Sequence, residues 1–105
     1  MITPIAVPDY RAHLRNRLEE RGIPEHLHSG LLAYFTERRP VGSFLTACLE
    51  NNLSEAVLRA DPASMAALKG IVEFLVWHTP DPAHGSREAV EAWLCSTEPV
   101  PTPFD

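Results

Sequence analysis

From residue 9 to residue 95 the apolar positions recur close to every 3.6 residues, and no stretch alternates as a strand would. Asp9, following Pro8, predicts an N-cap and a first helix from about 9 to Arg21, stopped by Gly22. Its apolar stripe of Tyr10, Leu14 and Leu18 is narrow, so this helix should pack by one edge. Pro24 suits the first turn of a second helix, in which Leu27, Leu31, Tyr34 and Phe35 share a core face. Pro40 ends that helix near Arg38 or Arg39, because the residue before a proline is pushed out of the helical region.

Ser43 is expected to cap a third helix through about Asn51, burying Phe44, Leu45, Cys48 and Leu49. Asn51-Asn52 stops it, and a short fourth helix, 53–59, carries Leu53, Ala56 and Val57. Asp61-Pro62 is a cap followed by proline at the first helical position, and opens a fifth helix running to about His78. Met65, Leu68, Val72, Leu75 and Val76 form its predicted buried face. Ile71, Phe74 and Trp77 widen that face nearly all round, the pattern of a central helix. After the "DPAHG" loop, Ser86 caps a last helix burying Val90, Trp93 and Leu94. The expected fold is an all-α, compact single-domain bundle of about six short helices.

The prolines at either end bound this bundle. Residues 1–8 form an N-terminal arm, 9–95 the helical domain, and 96–105 an extended Pro-rich tail. At 105 residues one hydrophobic core suffices without staples. The two cysteines, Cys48 and Cys95, lie far apart within helical patterns and are expected to be buried free thiols. The start shows no secretory pattern, and the longest apolar run, Ile71 to Trp77, is far short of the roughly 20 residues that span a bilayer. A cytoplasmic protein without membrane association is the expectation.

Charge is distributed unevenly. The net charge is −5; residues 1–40 carry six arginines against five acids, and residues 41–105 three cations against nine acids. The negative total weighs against direct nucleic-acid binding. No catalytic constellation stands out. His26 and His28 are two residues apart and would point to different helix faces, and His78, Asp81 and His84 lack zinc spacing. Glu73, inside "IVEFLVW", is the one carboxylate in an apolar run: a tuned acid, a partner for an arginine such as Arg59, or a solvent-facing side chain. No metal and no cofactor are expected.

The most pointed stretch is "ERRPVGSFLTACLENN". Arg38, Arg39, Gly42 and Ser43 are the candidate binding residues. Two guanidinium forks before a helix start would favour a carboxylate or phosphate. The same residues also describe a joint: proline ends one helix, Gly42 allows a tight turn, and Ser43 caps the next.

That run, with "IVEFLVW" and "HGSREAVEAWL", resembles a group of short uncharacterised phage and prophage proteins. The shared pattern is an "RP-x-G-x-FL" joint, an "L-x-N-x-L…A…RAD" middle and a "GS-x-E-x-V-x-x-WL" ending. It covers about Arg38 to Leu94, with Asn52 where the pattern favours an acid. The resemblance implies a phage-linked accessory protein in the host cytoplasm and no particular activity.

The functional expectation is a small non-enzymatic protein that binds a host protein as inhibitor or adaptor, host defence machinery included. An acidic half suits a basic, nucleic-acid-handling partner. Tyr10, Tyr34 and Phe104 are contact aromatics if exposed, and the Leu14/Leu18 edge is a candidate homodimer seam. The alternative is a nucleic-acid-binding regulator that uses the Arg-rich first helix. Glu50 and Glu55 oppose it, lying where a recognition face needs cations.

Overall fold

The computed structural model describes residues 7–100, with side chains from Tyr10 onward. Six α-helices occur among these residues: α1 (Val7–Glu20), α2 (His28–Glu37), α3 (Ser43–Leu49), α4 (Leu53–Arg59), α5 (Pro62–His78) and α6 (Arg87–Cys95). Two 3-10 turns, Glu25–Leu27 and Asp81–Ala83, join α1 to α2 and α5 to α6. The all-α single domain follows from the helical period, and five of the six helix starts lie within two residues of their predicted positions. The exception is α2. Pro24 precedes the 3-10 turn rather than opening the helix, which begins only at His28. α1 starts at Val7, so the expected arm ends two residues early, with Pro8 in the first turn.

Stops and starts have local chemical causes. Gly22, at φ +68°, ends α1; its N–H and that of Ile23 return to the carbonyls of Glu19 and Leu18. Asn51, at φ +60°, closes α3 in the same way, through bonds to Cys48 and Ala47. The side chains of Asn52, Asp61 and Ser86 accept the N–H groups of Glu55, Ser64 and Ala89, capping α4, α5 and α6. Ser43 does not cap. Gly42 occupies the cap position of α3 in ordinary extended backbone, and no side chain accepts there.

The centre of the core is α2, not α5. Leu31, Leu32, Tyr34 and Phe35 are fully buried, and the rings of Tyr34, Phe35, Phe74 and Trp93 lie 5.0–6.3 Å apart in edge-to-face and tilted pairs. α1 lays Tyr10, Leu14 and Leu18 entirely into this core. α5 turns only one side inward: Ser64, Ala67, Ile71, Phe74 and Leu75. Met65, Val72 and Val76, expected in the core, are 45, 48 and 53% exposed. α5 comes so close to the end of α1 at Gly70 that a Cβ there would lie 2.7 Å from the Arg21 carbonyl oxygen.

Gly70→Ala therefore opposes two effects. Alanine gains about 1 kcal/mol of helix propensity, whereas forcing the backbones apart costs roughly 1–3 kcal/mol. The contact is with backbone, which yields poorly, so urea unfolding should show a net loss of about 1 kcal/mol.

Candidate functional site

At the joint after α2, Arg38 takes a left-handed conformation, φ 55° and ψ 41°. This region suits glycine or asparagine, and a long side chain there needs compensation. Arg38 receives it from the far end of the chain. Its guanidinium carbon sits 3.9 Å from the centre of the Trp93 ring, its Nη1 donates to the Trp93 carbonyl at 2.9 Å, and its Nε donates to the Glu98 carbonyl at 3.3 Å. Trp93 Nε1 donates in turn to the Tyr34 carbonyl at 2.8 Å, and the Tyr34 hydroxyl donates to the Ala83 carbonyl at 2.6 Å.

The two arginines thus do not form a fork. Arg39 is 69% exposed and pairs with Glu37 at 3.4 Å. Gly42 needs no glycine conformation, and Ser43 is an exposed first residue of a seven-residue helix. Of these four residues Arg38 locks α2 to α6, through Trp93. Tyr10 and Tyr34 are fully buried and are not contact aromatics; burial pushes the Tyr10 hydroxyl up to about 12. The Leu14/Leu18 edge is spent inside the core, which removes it as a dimer seam. Phe104 lies outside the described residues.

Other titratable groups are dispersed. His26 is exposed in the 3-10 turn, whereas His28 is buried with Nε2–H donating to the Ile23 carbonyl at 2.7 Å. No group of three or more His, Cys, Asp or Glu suited to a metal occurs among the described residues. Glu73 pairs with Arg21 at 3.2 Å, and Arg59 pairs with Glu55 at 2.8 Å. Arg11 and Arg17 also meet acids, Glu37 and Glu20, so much of the first helix's positive charge is answered within the chain. Cys95 is exposed, against expectation; Cys48 is half-buried, and burial raises its thiol to about 11. His84 has its Nε2 shut away from any partner. Burial lowers its pKa, outweighing the Leu75 backbone contact and Asp81, which raise it.

The unexplained feature is apolar. Leu53, Val57 and Leu58 of α4 are 69, 42 and 77% exposed, and Trp77 of α5 is 71% exposed, beside Met65, Val72 and Val76. Between the two helices lies a recess of about 50 Å³, lined in part by Leu53, Ala56, Leu68 and Val72, with Cys48 at its edge. An exposed Leu is ordinary, but seven large apolar side chains left exposed on two successive helices are more than an isolated small domain needs. The sequence carried this signal. On α4, Leu58 lies far round the helix from Ala56, and α5 is apolar on two sides, which one small core does not cover. No helix among the described residues is long and apolar enough to cross a membrane. No family model, curated protein or solved structure matches the chain.

Two predictions follow from the joint and the loop. Arg38→Ala, which loses charge-assisted bonds and ring stacking while keeping the strained backbone, should cost about 2–3 kcal/mol. Arg38→Gly should cost about 1 kcal/mol less, because glycine relaxes the left-handed position, and Arg39→Ala should stay within about 0.5 kcal/mol. Chemical denaturation of the three variants measures both differences.

For His84 the folded pKa lies below the ordinary value of 6.5. Above that value the ring is neutral in both states, so its contribution is full and constant. As pH falls below it the unfolded chain takes the proton first, and stability drops until the folded pKa is reached. His78 shifts the same way, through burial first and Arg21 next. Unfolding midpoints measured downward from pH 7 should therefore fall less steeply in His84→Asn than in the parent chain.

Proposed function

We propose that this chain is a small, non-enzymatic protein-binding domain, an inhibitor or adaptor of a host protein, working in the cytoplasm of a phage- or prophage-bearing cell. The observation that carries this reading is the apolar exposure of α4 and α5, where Leu58 and Trp77 stand 77 and 71% exposed and Leu53, Val57, Met65, Val72 and Val76 are 42–69% exposed. Bare aromatic and aliphatic groups of this size characterise binding faces, with Trp prominent among residues that dominate affinity. The phage setting rests on the "RP-x-G-x-FL" resemblance.

A protein partner suits the chain better than a nucleic acid. A phosphate backbone asks for unpaired cations, and here Arg11, Arg17, Arg21 and Arg39 each face a glutamate. The net negative charge of the second half favours basic partners and speeds their encounter.

Affinity capture from nuclease-treated host lysate tests the proposal, comparing the parent chain with Leu58→Ser/Trp77→Ala. Both side chains are largely in solvent, so the double variant should fold normally by circular dichroism. One defined protein held by the parent and at least tenfold depleted from the variant is the expected result. Equal retention by both, or retention of nothing, overturns this reading.

A further inference from the structure

One part of the α4–α5 surface has a shape that names its own occupant. Along α5, Met65, Leu68, Val72 and Val76 fall within an arc of about 80°, at 100° per residue. On the α4 side the recess of Leu53 and Ala56 continues the stripe, with Val57 one turn beyond Leu53. On the other side lie Lys69 and Glu73, one turn apart. Lys69 is exposed and makes no ion pair among the described residues. Glu73 bonds Arg21 through Oε2 and keeps over a third of its side chain in solvent.

We infer that this stripe pairs with a second copy of the chain, α5 against α5 in antiparallel array about a two-fold axis near residues 70 and 71. In that arrangement each edge of the stripe meets the same edge of the other copy. Met65 faces Val76 of the second copy, and the Lys69 stem lies over its Val72. The Lys69 ammonium then reaches Glu73 of the second copy, and the symmetry makes this ion pair twice. The two α4 recesses meet along the opposite edge, apolar against apolar. Parallel pairing exchanges the edges: it sets Lys69 against the apolar recess and leaves it without an acidic partner, while Glu73 keeps only its own Arg21. Charge therefore selects the antiparallel form.

The area also suits a dimer. Leu53, Val57, Met65, Val72 and Val76 are 42–69% exposed. That leaves on the order of 400 Å² of apolar surface per copy, at the size where a monomer's largest patch is commonly functional. Two copies with the charged rim bury about 1,200 Å² in all, the lower end of specific interfaces, so the dimer is expected to be reversible. This inference rests on the protein-binding reading and assigns only the stripe. Leu58 and Trp77 lie off it and stay available to a host partner.

The test uses the purified full chain alone, so its failure is distinct from a failure of host capture. Sedimentation equilibrium over a wide concentration range should show a monomer–dimer equilibrium. Val72→Glu, and independently the surface change Lys69→Glu, should weaken it at least tenfold with unchanged circular dichroism. Orientation is read by disulfide trapping in a Cys48→Ser/Cys95→Ser background. Val72→Cys should cross-link to itself, since its two copies are offset by only about 4.5 Å along the helix axes. Met65→Cys, offset by roughly 16 Å, should not, but should cross-link to Val76→Cys when the two are mixed. A chain that is monomeric at every concentration overturns the inference, as does a dimer indifferent to both substitutions. Self-cross-linking of Met65→Cys in preference to Val72→Cys overturns the antiparallel pairing.

Discussion

The clasp between the end of α2 and the start of the tail holds the molecule's two halves together. Trp93 donates to the Tyr34 carbonyl, Arg38 stacks on Trp93 and donates to its carbonyl, and Tyr34 reaches the Ala83 carbonyl. Four contacts between residues 34–38 and 83–93 thus tie segments more than 45 positions apart. Closing so long a loop costs chain entropy, and the buried aromatic rings of the same segments offset it. Arg38's left-handed backbone belongs to this clasp. The chain must turn sharply before Pro40, and the guanidinium contacts hold a conformation that arginine rarely takes alone.

With α6 drawn onto α2, the arrangement of the remaining helices is constrained. α1 covers one side of α2 and reaches α5 at Gly70, while α3 and α4 form their own closely packed pair. α5 is then wedged between α1 and α3 and buries only its inward arc. Nothing in the described chain lies over Val72 or Val76. The exposed stripe is thus a product of the packing order, since a domain centred on α2 has no layer left to place outside α5.

Most helix boundaries are legible because they rest on local chemical signals. Gly22, Asp61-Pro62 and Ser86 act through one or two hydrogen bonds and need no tertiary context. Burial was less legible. Periodicity finds apolar arcs but does not say which arc meets a neighbour, and in α5 two arcs competed. The inward arc is the one that carries Ser64, Ala67, Ile71, Phe74 and Leu75, and Gly70 lets α5 approach the Arg21 backbone closely; Met65, Val72 and Val76 are left outside. The joint itself is legible, but the residues that make it are not, for a related reason. Gly42 and Ser43 look like turn and cap, yet the turn is made by Arg38, and only a partner 55 residues away makes that tolerable. Long-range compensation of this kind leaves no trace in local spacing.

The stripe on α5 is not explained by the needs of the isolated domain. Val72 and Val76 have lower helix propensity than Lys or Glu by a few tenths of a kcal/mol, because branching at Cβ restricts χ1. Half-exposed, they recover little of the burial energy that a core Val gains. Charged residues at both positions would serve the helix better and make the surface more soluble. A single such choice means nothing on a protein surface. Repeated at 65, 72 and 76 alongside Leu53, it describes a surface whose gain comes only when something covers it. Lys69 sits beside the same stripe, exposed and without an ion pair among the described residues, a placement that a covering surface with a carboxylate would complement.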